Sequence, residues 1–228
     1  MNNMTNLVKT IAPLTLFVTL SIALFPLTCL AGTVSVTVTD KEGKPVPDAV
    51  VVVLTKIPGK PKEALPLQTT ITQFKMQFQP QVSIVPAGAK LSFVNNDNWE
   101  HHVRGSAAGM AQFTAGTTGG FELRLDGKVD GRPASAASIN VEKPGAMLLG
   151  CHLHSSMRGH VYVSDSPWAV KTNAEGVAQF TDVPDGAAQV RVWQADQLLD
   201  LPLQNITVSA TPSQSNVQLP VTPRRRRS

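Results

Sequence analysis

The chain has 228 residues, 42% of them hydrophobic and 16% charged, with a formal net charge of +4. This composition excludes a chain that is disordered throughout, and the length suits one large or two small domains. Five of the 20 basic residues are Lys9 and the arginines at 224–227, which lie near the two ends of the chain. The rest of the chain has 15 basic and 16 acidic residues and is therefore nearly neutral. This balance does not predict a surface that binds nucleic acid.

The first 31 residues have the pattern of a secretory signal peptide. Lys9 supplies a positive start, "IAPLTLFVTLSIALF" an apolar centre, and "CLA" a small-residue cleavage site before Gly32. The residues before Cys29 lack the pattern of a lipid-attachment site, and no later apolar run is long enough to cross a bilayer. We therefore expect a periplasmic or secreted protein with no stable membrane anchor.

Strand patterns begin directly after this segment. "TVSVTVTD" places Val34, Val36 and Val38 on one face at period two, and "KEGKPVPD" predicts a turn. "AVVVVL" is a continuous apolar run, which predicts a strand buried on both faces. A Pro- and Lys-rich connector, "KIPGKPKEALP", follows it.

The middle of the chain predicts a second group of strands. "MQFQPQVSIVPAG" and "AKLSFVNNDNWEHHV" indicate two strands, of which the second ends in a loop rich in Asn and Asp. Residues 105–120 are rich in Gly and Ala and have little pattern. "FELRL", "SINVEKPGAMLLGC" and "HVYVSD" predict further strands.

The last section again predicts short strands and turns. "VKTNAEGVAQFTDVPDGAAQVRVW" has turn signals at 173–176 and 184–186, and "LPLQNITV" and "NVQLPV" predict two more strands. Many short strands at roughly ten-residue spacing are typical of β-sandwiches, so we predict an all-β fold. Residues 223–228, "PRRRRS", predict a disordered basic tail that could dock on an acidic partner or an anionic membrane surface.

The two flanks carry related motifs. "DKEGKPVPDAVVVV" and "TNAEGVAQFTDVPDGAAQVRV" together resemble the carboxypeptidase regulatory-like, transthyretin-like β-sandwich. The resemblance implies that residues 33–66 and 165–222 form one small sandwich and that residues 70–164 are an inserted second one. Two separate sandwiches in tandem are the alternative.

One stretch, "GCHLHSSMRGHVYV", concentrates metal-ligating residue types. Cys151, His154 and Met157 follow the spacing C-x-x-H-x-x-M, short enough for one loop around an ion. A copper ion that alternates between Cu(I) and Cu(II) is served by a thiolate, two imidazoles and a weak thioether. Because one loop cannot enclose a metal, a second histidine must come from elsewhere, and "NNDNWEHHV" provides one.

Removal of the signal peptide leaves Cys151 as the one cysteine of the chain. An intramolecular disulfide is then impossible. An unpaired thiol in an oxidising compartment must be buried or bound to a metal, which supports the same loop.

"FVNNDNWEHHV" and the cysteine loop together resemble the two ligand segments of the cupredoxins, with the short loop of amicyanin-type blue copper proteins. In that family a histidine follows an asparagine after five residues, which from Asn95 selects His101. The resemblance implies a cupredoxin-like Greek-key sandwich that holds one type 1 copper ion. Its implied ligands are His101, Cys151, His154 and Met157. The whole chain also resembles larger secreted proteins of the methylamine-utilization or plastocyanin-like type.

Several nearby residues depart from the family's pattern or stay open. Gly150 replaces the usual aromatic residue before the cysteine, and His102 replaces an asparagine that normally braces the loop. His102 has three possible roles: it braces the loop, competes as a ligand or faces solvent. His152 is expected beside the ligands or exposed, and His160 at the surface.

The tryptophans are expected to be structural. Trp99 is expected to pack within its loop, and Trp168 and Trp193 within the core of the flanking sandwich.

Other chemistries fit the same residues less well. Zinc also binds cysteine and histidine but rarely methionine, which favours copper. "CHLH" lacks the C-x-x-C-H spacing of covalent haem attachment. Nucleophilic catalysis by Cys151 would need an oxyanion site and a substrate pocket, for which the sequence has no signal.

The first functional hypothesis is a periplasmic electron carrier, not an enzyme, that exchanges single electrons with unidentified redox partner proteins. The resemblance implies outer-sphere transfer through the exposed edge of His154, with an apolar docking patch around it. A copper-binding or copper-delivery module is the second hypothesis. A structural β-sandwich with a vestigial metal site is the third.

Overall fold

The computed structural model describes residues 31–109 and 120–223, and every regular element within these ranges is a β-strand. The strands are β1 Ala31–Thr39, β2 Val50–Thr55, β3 Gln68–Phe74, β4 Gln77–Gln79, β5 Val82–Pro86, β6 Ala89–Asn95, β7 His101–Ala107, β8 Phe121–Leu125, β9 Ala136–Val141, β10 Gly145–Cys151, β11 Arg158–Ser164, β12 Trp168–Lys171, β13 Val177–Pro184, β14 Gly186–Trp193, β15 Gln204–Val208 and β16 Ser213–Gln218. The predicted all-β fold is confirmed.

Two sequence-based predictions lie outside these ranges. They are the signal peptide, of which only Ala31 is described, and the arginine run of the tail. Within the described ranges, no helix has the length and apolar character needed to cross a membrane.

Strands from the two flanks of the sequence share two sheets, which we call the flanking sandwich. One sheet has the order β13-β1-β16 and the other β12-β2-β14-β15. β1 pairs antiparallel with β13 and parallel with β16, so segments nearly 180 residues apart lie side by side. Its core contains Val34, Val36 and Val38, as the period-two pattern predicts, together with Trp168. The predicted domain boundaries remain a prediction.

Strands from the middle of the chain form the central sandwich. Its sheets have the orders β4-β3-β6-β9 and β5-β11-β10-β7-β8. Fully buried side chains between the sheets include those of Ile71, Leu91, Phe93, Val103 and Val161. This core supports the two strand ends that carry His101 and Cys151.

A third apolar cluster joins the two sandwiches. It consists of Val50, Val52, Val82, Tyr162, Ala169 and Trp193. Val51 and Val53 of β2 face the flanking core, whereas Val50 and Val52 face this third cluster. The valine run is therefore continuous because β2 has a packed surface on both faces.

Three elements differ from the sequence prediction. β3, "QTTITQF", was not predicted because its only buried side chains are Ile71 and Gln73 in a polar stretch. β7 continues to Ala107, into the segment that has little pattern. "MQFQPQVSIVPAG" is interrupted at Pro80, which has no amide hydrogen for a sheet, and its two halves β4 and β5 belong to different sheets.

The surface position predicted for His160 is wrong, whereas Trp193 is buried as predicted but packs in a different cluster, because both side chains lie between the sandwiches. Trp193 is 5% exposed and belongs to the third cluster, not to the flanking core. Its ring centroid lies 5.5 Å from that of His160. His160 Nδ1 is buried and has no hydrogen-bond partner among the described residues. Period two predicts that one face of β11 is solvent-exposed, but the flanking sandwich covers that face.

Burial lowers the pKa of His160 from its ordinary 6.5 to about 4, although the Asp196 carboxylate opposes the shift and Arg158 adds to it. Between about pH 4 and pH 6.5, His160 carries a proton in the unfolded chain but not in the folded protein. Acid therefore favours unfolding, and the stabilising effect is complete above about pH 6.5 and lost as the pH falls through about 4. At about 1.4 kcal/mol for each unit of pKa, we expect this residue to contribute about 3 kcal/mol of pH-dependent stability.

Urea denaturation at several pH values between 4 and 7 measures this effect. The wild type should lose about 3 kcal/mol more than His160→Gln over that range, since both proteins share every other titrating group. Equal losses in the two proteins would contradict the prediction.

Candidate metal centre

Two neighbouring strands bring the predicted ligand segments together. β7 begins at His101 and β10 ends at Cys151, and the two strands are antiparallel with Cys151 opposite Val103. The amide of His152 donates to the carbonyl oxygen of His102 at 2.9 Å, which continues the pairing by one residue. His101 and Cys151 thus lie side by side although they are 50 positions apart in the chain.

Three of the four predicted ligands converge. The distance from Cys151 Sγ to His101 Nδ1 is 3.7 Å, and to His154 Nδ1 it is 3.5 Å. The ligand atoms of the three residues lie within 4.8 Å of one another. His101 and Cys151 are buried, whereas His154 is partly exposed. The thiol and both imidazoles therefore face one common point.

These separations fit a single bound metal ion. A metal–sulfur bond of about 2.3 Å and a metal–nitrogen bond of about 2.0 Å, at tetrahedral to trigonal angles, place the two ligand atoms about 3.5–3.7 Å apart. The observed distances of 3.5 and 3.7 Å lie in that range. A thiolate with two imidazoles suits copper or zinc.

Met157 lies at the end of the same loop. Its amide donates to the His154 carbonyl oxygen at 2.9 Å and closes a turn over these four residues. The side chain is 1% exposed and belongs to the buried cluster that contains Cys151. Its thioether as a fourth ligand remains a prediction.

Sequence reasoning missed Asp97. His101 Nε2 lies 2.9 Å from Asp97 Oδ2, and both side chains are almost completely buried. Burial by itself raises the pKa of this carboxyl, but hydrogen bonds from the Met76 amide, the His101 ring and the Lys75 amide together lower it below its ordinary value. Asp97 is therefore an ionised acceptor, so His101 Nε2 donates to it, and the other ring nitrogen, Nδ1, faces Cys151. The only sequence signal was a carboxylate four positions before the histidine.

Asn95 braces the loop that carries Asp97 and His101. Its Nδ2 donates to the carbonyl oxygens of Trp99, Leu125 and Asp126, and its Oδ1 accepts the Asp97 amide at 2.9 Å. The side chain is completely buried. The bracing expected of an asparagine after the histidine is supplied here by the asparagine before it.

His102 and His152 lie outside the buried site. Each follows a predicted ligand directly, and because strand side chains alternate, the pair points the other way. Their ring centroids are 5.8 Å apart, and His102 Nε2 is 3.5 Å from Glu122 Oε1. Arg104 Nη1 is 3.5 Å from His152 Nδ1. His152 is exposed, in agreement with its sequence prediction.

Three exposed apolar side chains lie on segments attached to the site. Met76, Trp99 and Leu153 are 45%, 44% and 50% exposed. The Met76 amide binds Asp97, Trp99 lies two residues before His101, and Leu153 precedes His154. Trp99 is thus only half-buried, and its packing within the loop stays a prediction. We call these three residues the apolar rim.

No protein-family model and no curated protein matches the chain. Among solved structures, it is similar to an amicyanin mutant in the reduced state, with 22% identity, 50% of this chain and 98% of that chain covered, and a TM-score of 0.31. A copper-containing nitrite reductase from Thermus scotoductus SA-01 is 21% identical, with 49% of this chain and 25% of that chain covered and a TM-score of 0.33.

Proposed function

We propose that this protein is a periplasmic type 1 copper protein that carries single electrons between redox partners. The main support for this proposal is the position of the buried Cys151 thiol. Its Sγ atom lies within 3.7 Å of the Nδ1 atoms of His101 and His154, which come from separate segments. Secretion rests on the predicted signal peptide. Docking of the arginine tail on an acidic partner belongs to the same proposal.

Copper is favoured over zinc by the composition of the ligand loop. Met157 is buried on the turn that begins at His154, close in the chain to both loop ligands. Zinc rarely recruits a thioether, whereas copper accepts one as a weak ligand. When bound, copper would supply a one-electron couple.

The described residues suit outer-sphere electron transfer. His101 and Cys151 come from hydrogen-bonded strands, so their positions change little when charge changes at the site. Burial of both side chains excludes bulk water, while the partly exposed His154 offers an edge to a partner. No bond is made or broken, so the proposed activity is not enzymatic.

The apolar rim is the proposed docking surface of a redox partner. Weak and transient encounters of this kind use small interfaces. Met76, Trp99 and Leu153 lie on the three segments around the ligands, so a partner that covers them would come close to His154.

Addition of one equivalent of Cu(II) to the full chain, with the thiol reduced, tests the proposal. We expect an intense visible thiolate-to-copper absorption and an EPR spectrum of a highly covalent copper site. The coloured protein should then exchange electrons reversibly with a soluble mediator. A copper-loaded protein without a visible thiolate band would contradict an electron carrier.

Copper delivery is a second candidate, favoured by one observation. His102 and His152 each directly follow a candidate ligand in the chain, and their imidazole rings lie next to each other outside the buried site. The His102 side chain is 27% exposed. Such a pair could receive an ion that leaves the buried site. In that case the protein binds Cu(I) without strong colour and releases it to a chelator, and the double variant His102→Ala/His152→Ala releases it more slowly. Release at an unchanged rate would contradict delivery through this pair.

A further inference from the structure

Asp97 connects the candidate centre to a turn of another sheet. Lys75 and Met76 form the two-residue turn between β3 and β4, and both have positive φ, 53° and 56°. This turn type favours Gly, Asn and Asp. The Lys75 amide donates to Asp97 Oδ1 at 2.6 Å and the Met76 amide to Oδ2 at 3.0 Å. The turn therefore aims its free amides at the carboxylate that binds His101.

The arrangement leaves the carboxylate little freedom. Its two oxygens accept two backbone amides and the His101 ring, and its own amide is bound by Asn95. A buried carboxylate is destabilising unless hydrogen bonds compensate its lost hydration, and here three donors do so. The Asp97 side chain is 4% exposed, so solvent screens its charge poorly.

We propose that Asp97 is a positioning residue of the metal centre: it holds the His101 ring with Nδ1 toward Cys151 and adds a buried negative charge beside the ligand. The first half concerns the chain alone. The second half rests on the proposed function, because it concerns the balance between Cu(II) and Cu(I).

Both effects have a simple physical basis. A histidine that donates its second ring nitrogen to a carboxylate has a fixed orientation and is a more basic ligand. A negative charge near the ion stabilises the more positive oxidation state, since charges interact strongly where solvent is excluded. Asp97 therefore favours Cu(II) over Cu(I) and lowers the reduction potential.

Asp97→Asn tests the charge, because the amide has nearly the same size but no charge. We expect the ratio of Cu(II) to Cu(I) affinity to fall about tenfold, because loss of the hydrogen-bond partner of a metal ligand changes metal affinity on this scale. For one electron this corresponds to a potential about 59 mV higher. Voltammetry and competition with chelators for each oxidation state measure it.

Glu100→Gln is the matched control. It removes one carboxylate from the same loop, but Glu100 is partly exposed and pairs with Arg124 rather than with His101. Its effect on the affinity ratio should stay under about twofold because solvent screens it. A ratio that is unchanged in a folded Asp97→Asn protein, or shifted equally in the two variants, would overturn the charge effect.

Nitrogen NMR of the metal-free full chain at about pH 8 tests the positioning without copper. In the wild type we expect His101 to be protonated on Nε2, and we expect this proton to be shifted downfield and to exchange slowly with solvent. In Asp97→Asn the exchange of this proton should no longer be slow. A ring protonated on Nδ1 in the wild type would overturn the proposal, even if the variant fails to fold. If this signal is present but copper does not bind, the proposed function fails and the positioning role stands.

Discussion

Replacement of Cys151 by serine should abolish the visible thiolate absorption of the copper-loaded protein and weaken copper binding by more than about a hundredfold. The Sγ atom is the common neighbour of His101 Nδ1 and His154 Nδ1. A serine hydroxyl is harder and stays protonated at neutral pH, so it cannot replace a thiolate. Loss of a residue that only hydrogen-bonds to a metal ligand costs about 10–100-fold in metal affinity, and loss of the ligand itself should cost more.

The visible spectrum, the EPR spectrum and competition with a Cu(II) chelator measure this loss. His152→Ala is the matched control, because it alters the adjacent position but removes an exposed side chain outside the buried site. It should keep the absorption band. A Cys151→Ser protein that retains the band or the affinity would show that the thiol is not a ligand.

Replacement of Trp193 by alanine should lower the free energy of unfolding by about 3–5 kcal/mol, the usual cost of truncating a large buried aromatic side chain. Trp193 is 5% exposed, and its ring contacts those of His160 and Tyr162, with centroids 5.5 and 5.8 Å away. It is the largest side chain of the cluster between the sandwiches. The cavity would therefore weaken the contact that joins them.

Urea denaturation followed by circular dichroism measures the effect. The control is Trp99→Ala, the same truncation at a side chain that is 44% exposed, with an expected change within about 0.5 kcal/mol. If the sandwiches depend on this contact for cooperativity, the Trp193→Ala transition should also broaden or split into two. A loss below about 1 kcal/mol would contradict the importance of the contact.

The candidate site was partly accessible to sequence reasoning because two of its residues are close in the chain. Cys151 and His154 lie on one short loop, where spacing alone predicts their proximity. His101 required a motif, since its approach to Cys151 depends on the pairing of β7 with β10. Asp97 was missed, because its role depends on the turn at Lys75 and Met76, more than 20 positions away.

By itself the sequence determined the all-β class, the two groups of strands and the residue types of the candidate metal centre. Each follows from local chemistry, namely side-chain periodicity, turn residues and the ligand preferences of a metal ion. Only the tertiary structure decided which side of each strand is covered. His160 and Trp193 lie between two sandwiches, and β3 is held in its sheet by β6 despite a polar sequence. These outcomes depend on burial against distant segments, and periodicity along one strand carries no information about what packs on its other face.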